Sequence, residues 1–350
     1  MKFDPKELEK RGNYPQVAND YMTIPGVYTA RLNTPITPRE NWERFFNRQN
    51  PLWVPDSTYD LNYMCPMFHP DIRASGTEGG IDSFGAHWAK VPNEKAMLEP
   101  GFILLDDIAD WEEKLVWPDV DSWPWEEGAK EYSVQDPDRP NAVFYGCSMF
   151  ERMISILGFE GAAMSFLTEP EATHAFLDRL TEHNINVLDH YRRYLNVELI
   201  IFSDDWGSQR NQFFSNEVVE EFLLPRYKKV VDWAHNHGIR FMHHCCGEVT
   251  KLVPYMVEAG VDAWEINYEA VEPYLEEVVE KYGDKILFDA YFGLLYHLSD
   301  KEEEFKEQVR YYYDRWGSTG KFSMTVYDFN HWDFDSRSYA YQVARETLQG

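Results

Sequence analysis

The sequence predicts a single α/β domain over residues 1–350, a (β/α)8 TIM barrel with an N-terminal extension at 1–36 and long loops over its C-terminal rim. Three observations predict it. The C-terminal half alternates strand-like and helix-like segments through at least five units with no break. Neither a G-x-G-x-x-G nor a P-loop match occurs, although a doubly wound nucleotide-binding sheet should show one early. The residues that can carry chemistry fall at the carboxyl ends of separate predicted strands, where barrel enzymes place their sites.

The elements follow in chain order. Thr37-Pro38-Arg39-Glu40 reads as a capping box with proline in the first helical turn. The helix it opens leads into Pro51-Leu52-Trp53-Val54-Pro55, the expected first strand. Between Tyr59 and Pro140 the Pro, Gly and Trp content predicts long excursions. The aromatic group from Trp111 to Tyr145 reads as core or as the lining of a pocket. Asn141 to Tyr145 resumes the strand pattern.

Thr168-Glu169-Pro170-Glu171 reads as a second capping box, opening a helix to about Arg193. Glu198 to Phe202 is a buried strand ending in the polar turn Ser203-Asp204-Asp205-Trp206-Gly207-Ser208-Gln209. Ser215 caps a helix whose apolar face carries Val218, Val219, Phe222, Leu223, Tyr227, Val230 and Val231, and Gly238 stops it. Gly238 to Met242 begins the next strand. A helix from about Glu248 to Glu258, a strand Asp262 to Ile266 and a helix Glu272 to Lys281 succeed it. Then come a strand Lys285 to Asp289, a third capping box at Ser299-Asp300-Lys301-Glu302, a strand Lys321 to Val326 and a last helix from Ser336 to Leu348.

Composition narrows the function classes. A net charge of −27 repels nucleic-acid phosphates and anionic membrane surfaces, which sets both aside as partners. No apolar run reaches the length of a membrane span, and the opening Met1-Lys2-Phe3-Asp4-Pro5 is unlike a signal peptide. Four cysteines, the adjacent Cys245 and Cys246 with Cys65 and Cys147 far off, make no disulfide framework, so a cytoplasmic location is expected. The oligomeric state stays open, a homodimer among the options.

The run His243-His244-Cys245-Cys246-Gly247 carries the most chemistry. On a strand alternate side chains share a face, so His244 and Cys246 point one way while His243 and Cys245 point the other. An imidazole beside a thiolate suits zinc, and two ligands leave room for a third group and a substrate. Asp204 and Asp205 read as general acid, as carboxylates that orient a ligand imidazole, or as a turn-and-cap pair. Gln209 reads as a substrate contact or a cap, His243 as a substrate contact or a satisfied core histidine, and Tyr327 as a proton donor or packing.

These pieces resemble the uroporphyrinogen decarboxylase superfamily, closest to its corrinoid-dependent methyltransferase branch. The likeness rests on Ser203 through Gln209, Ser215 through Pro225-Arg226-Tyr227, His244-Cys245-Cys246-Gly247 and Ala259-Gly260-Val261-Asp262. It is weaker over 37–55 and at Asp82-Ser83-Phe84-Gly85-Ala86-His87-Trp88. The decarboxylases of that superfamily carry arginines after the first strand. Here Val54-Pro55-Asp56-Ser57-Thr58-Tyr59-Asp60 puts an acid in that place, which opposes a substrate bearing many carboxylates.

The methyltransferase branch implies Zn2+ held by His244 and Cys246 plus a later cysteine. None occurs in Lys321 through Asp328. Asp328 is the expected stand-in, with Tyr327 and Glu265 as alternatives. The absent cysteine also argues against a thiol substrate such as coenzyme M. The resemblance implies methyl transfer between a small methylated substrate, an aromatic methyl ether being the expectation, and a corrinoid (cobalamin-type) cofactor carried by a separate corrinoid protein, because no D-x-H-x-x-G segment is present. Transfer from a methylcorrinoid to an acceptor, a decarboxylase-like activity and a non-catalytic binding barrel remain as alternatives.

Overall fold

The computed structural model describes residues 1–15, 29–69, 78–91, 96–133, 135–291, 298, 300–326 and 334–349. Its centre is one parallel sheet of seven strands that lie side by side in chain order. They are β1 (Asn62–Met64), β2 (Asn141–Tyr145), β3 (Leu199–Ser203), β4 (Arg240–Cys245), β5 (Ala263–Asn267), β6 (Leu287–Tyr291) and β7 (Phe322–Thr325). Helices return the chain between them: α2 (Phe150–Thr168) and α3 (Pro170–Leu195) after β2, α4 (Leu224–Asn236) after β3, α5 (Val253–Ala259) after β4 and α6 (Tyr268–Tyr282) after β5. After β6 comes α7 (Glu302–Arg315), and α8 (Ser336–Thr347) follows β7. The helix α1 (Pro38–Phe46) precedes the sheet.

The strands are apolar runs such as Leu199-Ile200-Ile201-Phe202 because both faces are covered. One face packs under the helices. The other forms its own cluster of Leu61, Tyr63, Ala142, Phe144, Leu199, Ile201, Met242, Ala263 and Leu287, into which α1 inserts Trp42 and Phe45. A sheet with a private apolar interior has curled around it. The two edges approach each other: Met324 of β7 donates its N–H to Pro55 O at 2.9 Å and accepts from Ser57 N–H at 2.8 Å, just before β1 begins.

The fold is therefore α/β with a curled parallel sheet of TIM type, but an eight-strand count is not reached among the described residues. The expected first strand, Pro51–Pro55, is irregular, and only the single bridge Asp56–Met324 stands in its place. Two prolines without N–H groups cannot sustain a ladder there. Thr168 is also placed differently. It ends α2, donating its hydroxyl to Met164 O, and α3 starts at Pro170 without a side-chain cap. Thr37 does cap α1, accepting from Glu40 N–H, while the Glu40 carboxylate turns to Arg44 instead of closing the box. Ser299 lies outside the described residues.

The expected excursion contains a small antiparallel sheet (Gly80–Ile81, His87–Ala89, Met97–Leu98). A fully buried ion pair, Arg152–Asp82 at 2.7 Å, fastens it to α2. The tryptophans at 111, 117, 123 and 125 pack against Phe176, His183, His190 and Tyr191 of α3, so this aromatic group is core. The N-terminal segment is held by Glu7, which accepts from Tyr341 and Arg345 of α8 at 2.6 and 2.7 Å. Among the described residues no helix is long and apolar enough to cross a membrane.

Candidate metal centre at the strand ends

The inner face of the sheet changes character at one level. Ile201, Met242, Ala263 and Leu287 are register neighbours and form an apolar layer. Two residues further along each strand the neighbours are Ser203, His244, Glu265, Asp289 and Ser323. Alternation puts this second row on the same face, nearer the carboxyl ends. Polar side chains at that depth must satisfy one another, and they do. Asp289 accepts from Ser57 at 2.7 Å, Ser323 at 2.9 Å and Thr325 at 3.0 Å. Burial and the neighbouring Glu265 nonetheless push its carboxyl up to about 7.

His244 lies between two kinds of partner. Its Nδ1 is 2.9 Å from Glu265 Oε2, and its Nε2 is 3.5 Å from Cys246 Sγ and 3.9 Å from Asp205 Oδ1. Cys246 donates its backbone N–H to that same Asp205 oxygen at 2.7 Å. Burial works against the imidazolium, but Glu265 and Cys246 outweigh it and hold His244 well above the usual histidine range. Ligand atoms of Asp205, His244 and Cys246 all lie within 4.8 Å of one another. Tetrahedral bonds of about 2.0–2.3 Å set donors roughly 3.3–3.8 Å apart, so this set fits a borderline-soft divalent cation with little rearrangement. His244 and Asp205 keep 20% and 33% of their side-chain surface open, which leaves an approach for a substrate.

Two loops bring these groups together by touching through glycines. A Cβ on Gly247, whose φ is +91°, would stand 2.5 Å from Gly207 C and 2.6 Å from Ser208 O. Side chains there would drive the loop of Asp205 away from that of Cys246. Glu248 N–H to Ser208 O at 2.8 Å completes the clamp.

The other expected site residues are placed as follows. Asp204 is fully buried and accepts from Trp206 Nε1, Tyr227 OH and the backbone N–H groups of Met149 and Glu151. Burial raises its carboxyl to about 6 against those donors. It anchors the start of α2 and is enclosed, the placement of the turn-and-cap alternative. His243 is likewise enclosed, packed on Trp206 and Tyr227 with Nε2 toward Asp204 O, and burial lowers it to about 3. Of the two readings of His243, this placement is that of the core histidine. Cys245 is buried beside it on the helix side, with its thiol pushed up by burial, so it does not supply a ready thiolate. Gln209 is exposed in the turn after β3. Tyr327 and Asp328 lie outside the described residues.

Glu265 bonds the far nitrogen of His244, while Asp205 lies on the Nε2 side with Cys246 as the third candidate ligand. Sequence reasoning missed Asp289 and Glu151. Asp289 had a signal, an acid closing an apolar strand. Glu151 had none, because a glutamate in a first helical turn is unremarkable. Asp56 accepts the N–H groups of Thr58 and Tyr59 in its own turn.

Residues 143–288, from β2 into β6, match the family described as uroporphyrinogen decarboxylase (URO-D). The match contains Asp205, His244, Cys246 and Glu265. A methylated-thiol–coenzyme M methyltransferase of Methanosarcina mazei is 28% identical over 112 residues, which is 32% of this chain and 29% of the relative. The alignment thus spans under a third of that relative's length.

Proposed function

We propose that this chain, with its URO-D-type domain, is a metal-dependent methyltransferase that moves a methyl group from the oxygen or sulfur of a small donor to a corrinoid carried by a separate protein. The observation that carries the proposal is the convergence of Asp205, His244 and Cys246 at the strand ends, with Glu265 behind the imidazole. The M. mazei relative, named for methylated thiols, supports methyl transfer as the reaction class. It also favours a thioether donor beside the aromatic ether read from the sequence. Among the described residues, the inner row Ser203–His244–Glu265–Asp289–Ser323 holds no Lys or Arg, which disfavours a substrate bearing many carboxylates.

Asp205 Oδ1, His244 Nε2 and Cys246 Sγ would hold the cation, zinc being the best fit to the donors. Once bound, it supplies Lewis acidity that draws charge from the heteroatom losing its methyl group. The chain's own residues do the rest. Glu265 keeps the His244 ring turned so that Nε2 faces the opening, and Asp205 fixes the Cys246 loop through its N–H. The apolar layer of Ile201, Met242 and Ala263 closes the floor and excludes water from below.

The test is to measure zinc content and to incubate the protein with cob(I)alamin and a panel of methyl thioethers and methoxylated aromatics. Stoichiometric zinc and formation of methylcobalamin are expected. Substoichiometric metal and an unchanged cob(I) spectrum across the panel would reject the assignment.

A further inference from the structure

We infer that Glu151 is the proton donor to the heteroatom that gives up its methyl group. The inference rests on the methyl-transfer reading and adds to it a residue that neither sequence motif nor metal set includes.

Glu151 is in the first turn of α2, directly above the end of β2. Cys147, a non-glycine residue at φ +61°, turns the chain there and donates its N–H to Glu151 Oε2 at 3.3 Å. Ser203 Oγ lies 3.3 Å from that same oxygen. Ser203 is the register neighbour of His244, so the carboxyl stands beside the metal ligands at the mouth. Every hydrogen bond to this carboxyl among the described residues goes to Oε2. Oε1 takes none, and the residue is partly open.

No cation pairs with Glu151 among the described residues, unlike the buried acids Glu7, Asp82 and Asp60, each bonded to an arginine. A helix N-terminus would ordinarily favour the anion. Here the N–H groups of Met149 and Glu151 are already taken by Asp204 Oδ1. Burial, with no cation beside it, works against the Glu151 anion. A carboxyl so placed is favoured in its neutral form, with Oε1 left for the proton.

The chemistry requires such a group for a neutral donor. The bond from methyl carbon to oxygen or sulfur breaks, its electron pair stays on the heteroatom, and the Glu151 proton is delivered there. The carbon is bonded in turn by the electron pair of a cob(I)amide nucleophile. A sulfonium donor differs in one respect: its sulfur departs neutral as a thioether and needs no proton.

That difference supplies the test. Methyl transfer to cob(I)alamin is measured with a methyl thioether or ether and with a methylsulfonium of similar size, for the metal-loaded protein and for Glu151→Gln. The substitution should lower kcat on the neutral donor by about 100-fold or more, in the range of general acid catalysis. Metal content should not change, and the sulfonium rate should fall less than about 3-fold, with Glu151→Asp recovering part of the loss on the neutral donor. Equal losses on both donors, or no loss on the neutral one, would overturn the inference. If the parent protein transfers methyl from neither donor, the methyl-transfer reading fails by itself. The proton is then judged by infrared difference spectra. A protonated-carboxyl band at pH 7 that disappears in Glu151→Gln supports Glu151 as the proton holder, and its absence from the parent protein rejects it.

Discussion

Glu265 Oε2 and His244 Nδ1 stand 2.9 Å apart on adjacent parallel strands, at the same register position. The sheet itself thus fixes which imidazole nitrogen faces the opening. Glu265→Gln keeps the shape but removes the charge behind the ring, and metal affinity should fall about 10–100-fold. Competition against a chromogenic chelator measures it. Unchanged affinity would mean that the ring is oriented by packing alone, as by the edge contact with Phe144 at 5.8 Å between ring centroids.

Cys246→Ala should lose bound metal and methyl transfer together. Cys245→Ala should keep both and show only a stability loss of about 1 kcal/mol, since it removes a buried sulfur that accepts from Trp206 N–H. Metal content and urea midpoints on the two variants decide this. The opposite pattern would mean that the strand is slipped by one residue.

Gly247→Ala changes no ligand residue but puts a methyl group against the backbone of Gly207 and Ser208. It should cost at least about 10-fold in metal affinity while secondary structure, followed by circular dichroism, is unaltered. Affinity equal to the parent protein would show that the loop contact does not set the site.

The Asp289 carboxyl is raised from 3.8 to about 7. Between those values the folded protein holds a proton that the unfolded chain has released. Its contribution to stability is therefore complete below about pH 4 and is lost as pH climbs through 7. The slope is at most about 1.4 kcal/mol per pH unit. Metal-free Asp289→Asn should lack this component, so its urea midpoint should gain on the parent protein between pH 5.5 and 8. Parallel curves for the two proteins would contradict the raised value.

What was legible in the sequence is what local pattern controls. The runs at 141–145, 199–203 and 263–267 are apolar enough to be strands in any context, and each appears within a residue or two of its expected place. The pairing of His244 with Cys246 follows from alternation along a single strand. What escaped depends on contacts between distant segments. Asp205 and Glu265 were noticed without their places, since only the geometry tells which carboxylate meets Nδ1 and which lies toward Nε2. Thr168 had cap chemistry on both sides of a helix boundary, and its hydroxyl bonds Met164 O of the earlier helix. Glu151 became visible once Cys147 and Ser203 were seen to surround it.

The buried pair of Arg152 with Asp82 has an effect beyond holding a hairpin in place. Arg152 is the chain neighbour of Glu151, so the outlying three-stranded sheet and the acid at the opening are yoked through one guanidinium. Pulling that sheet away would break a fully buried charge pair one residue from the acid at the opening, at the cost that separating buried charges carries.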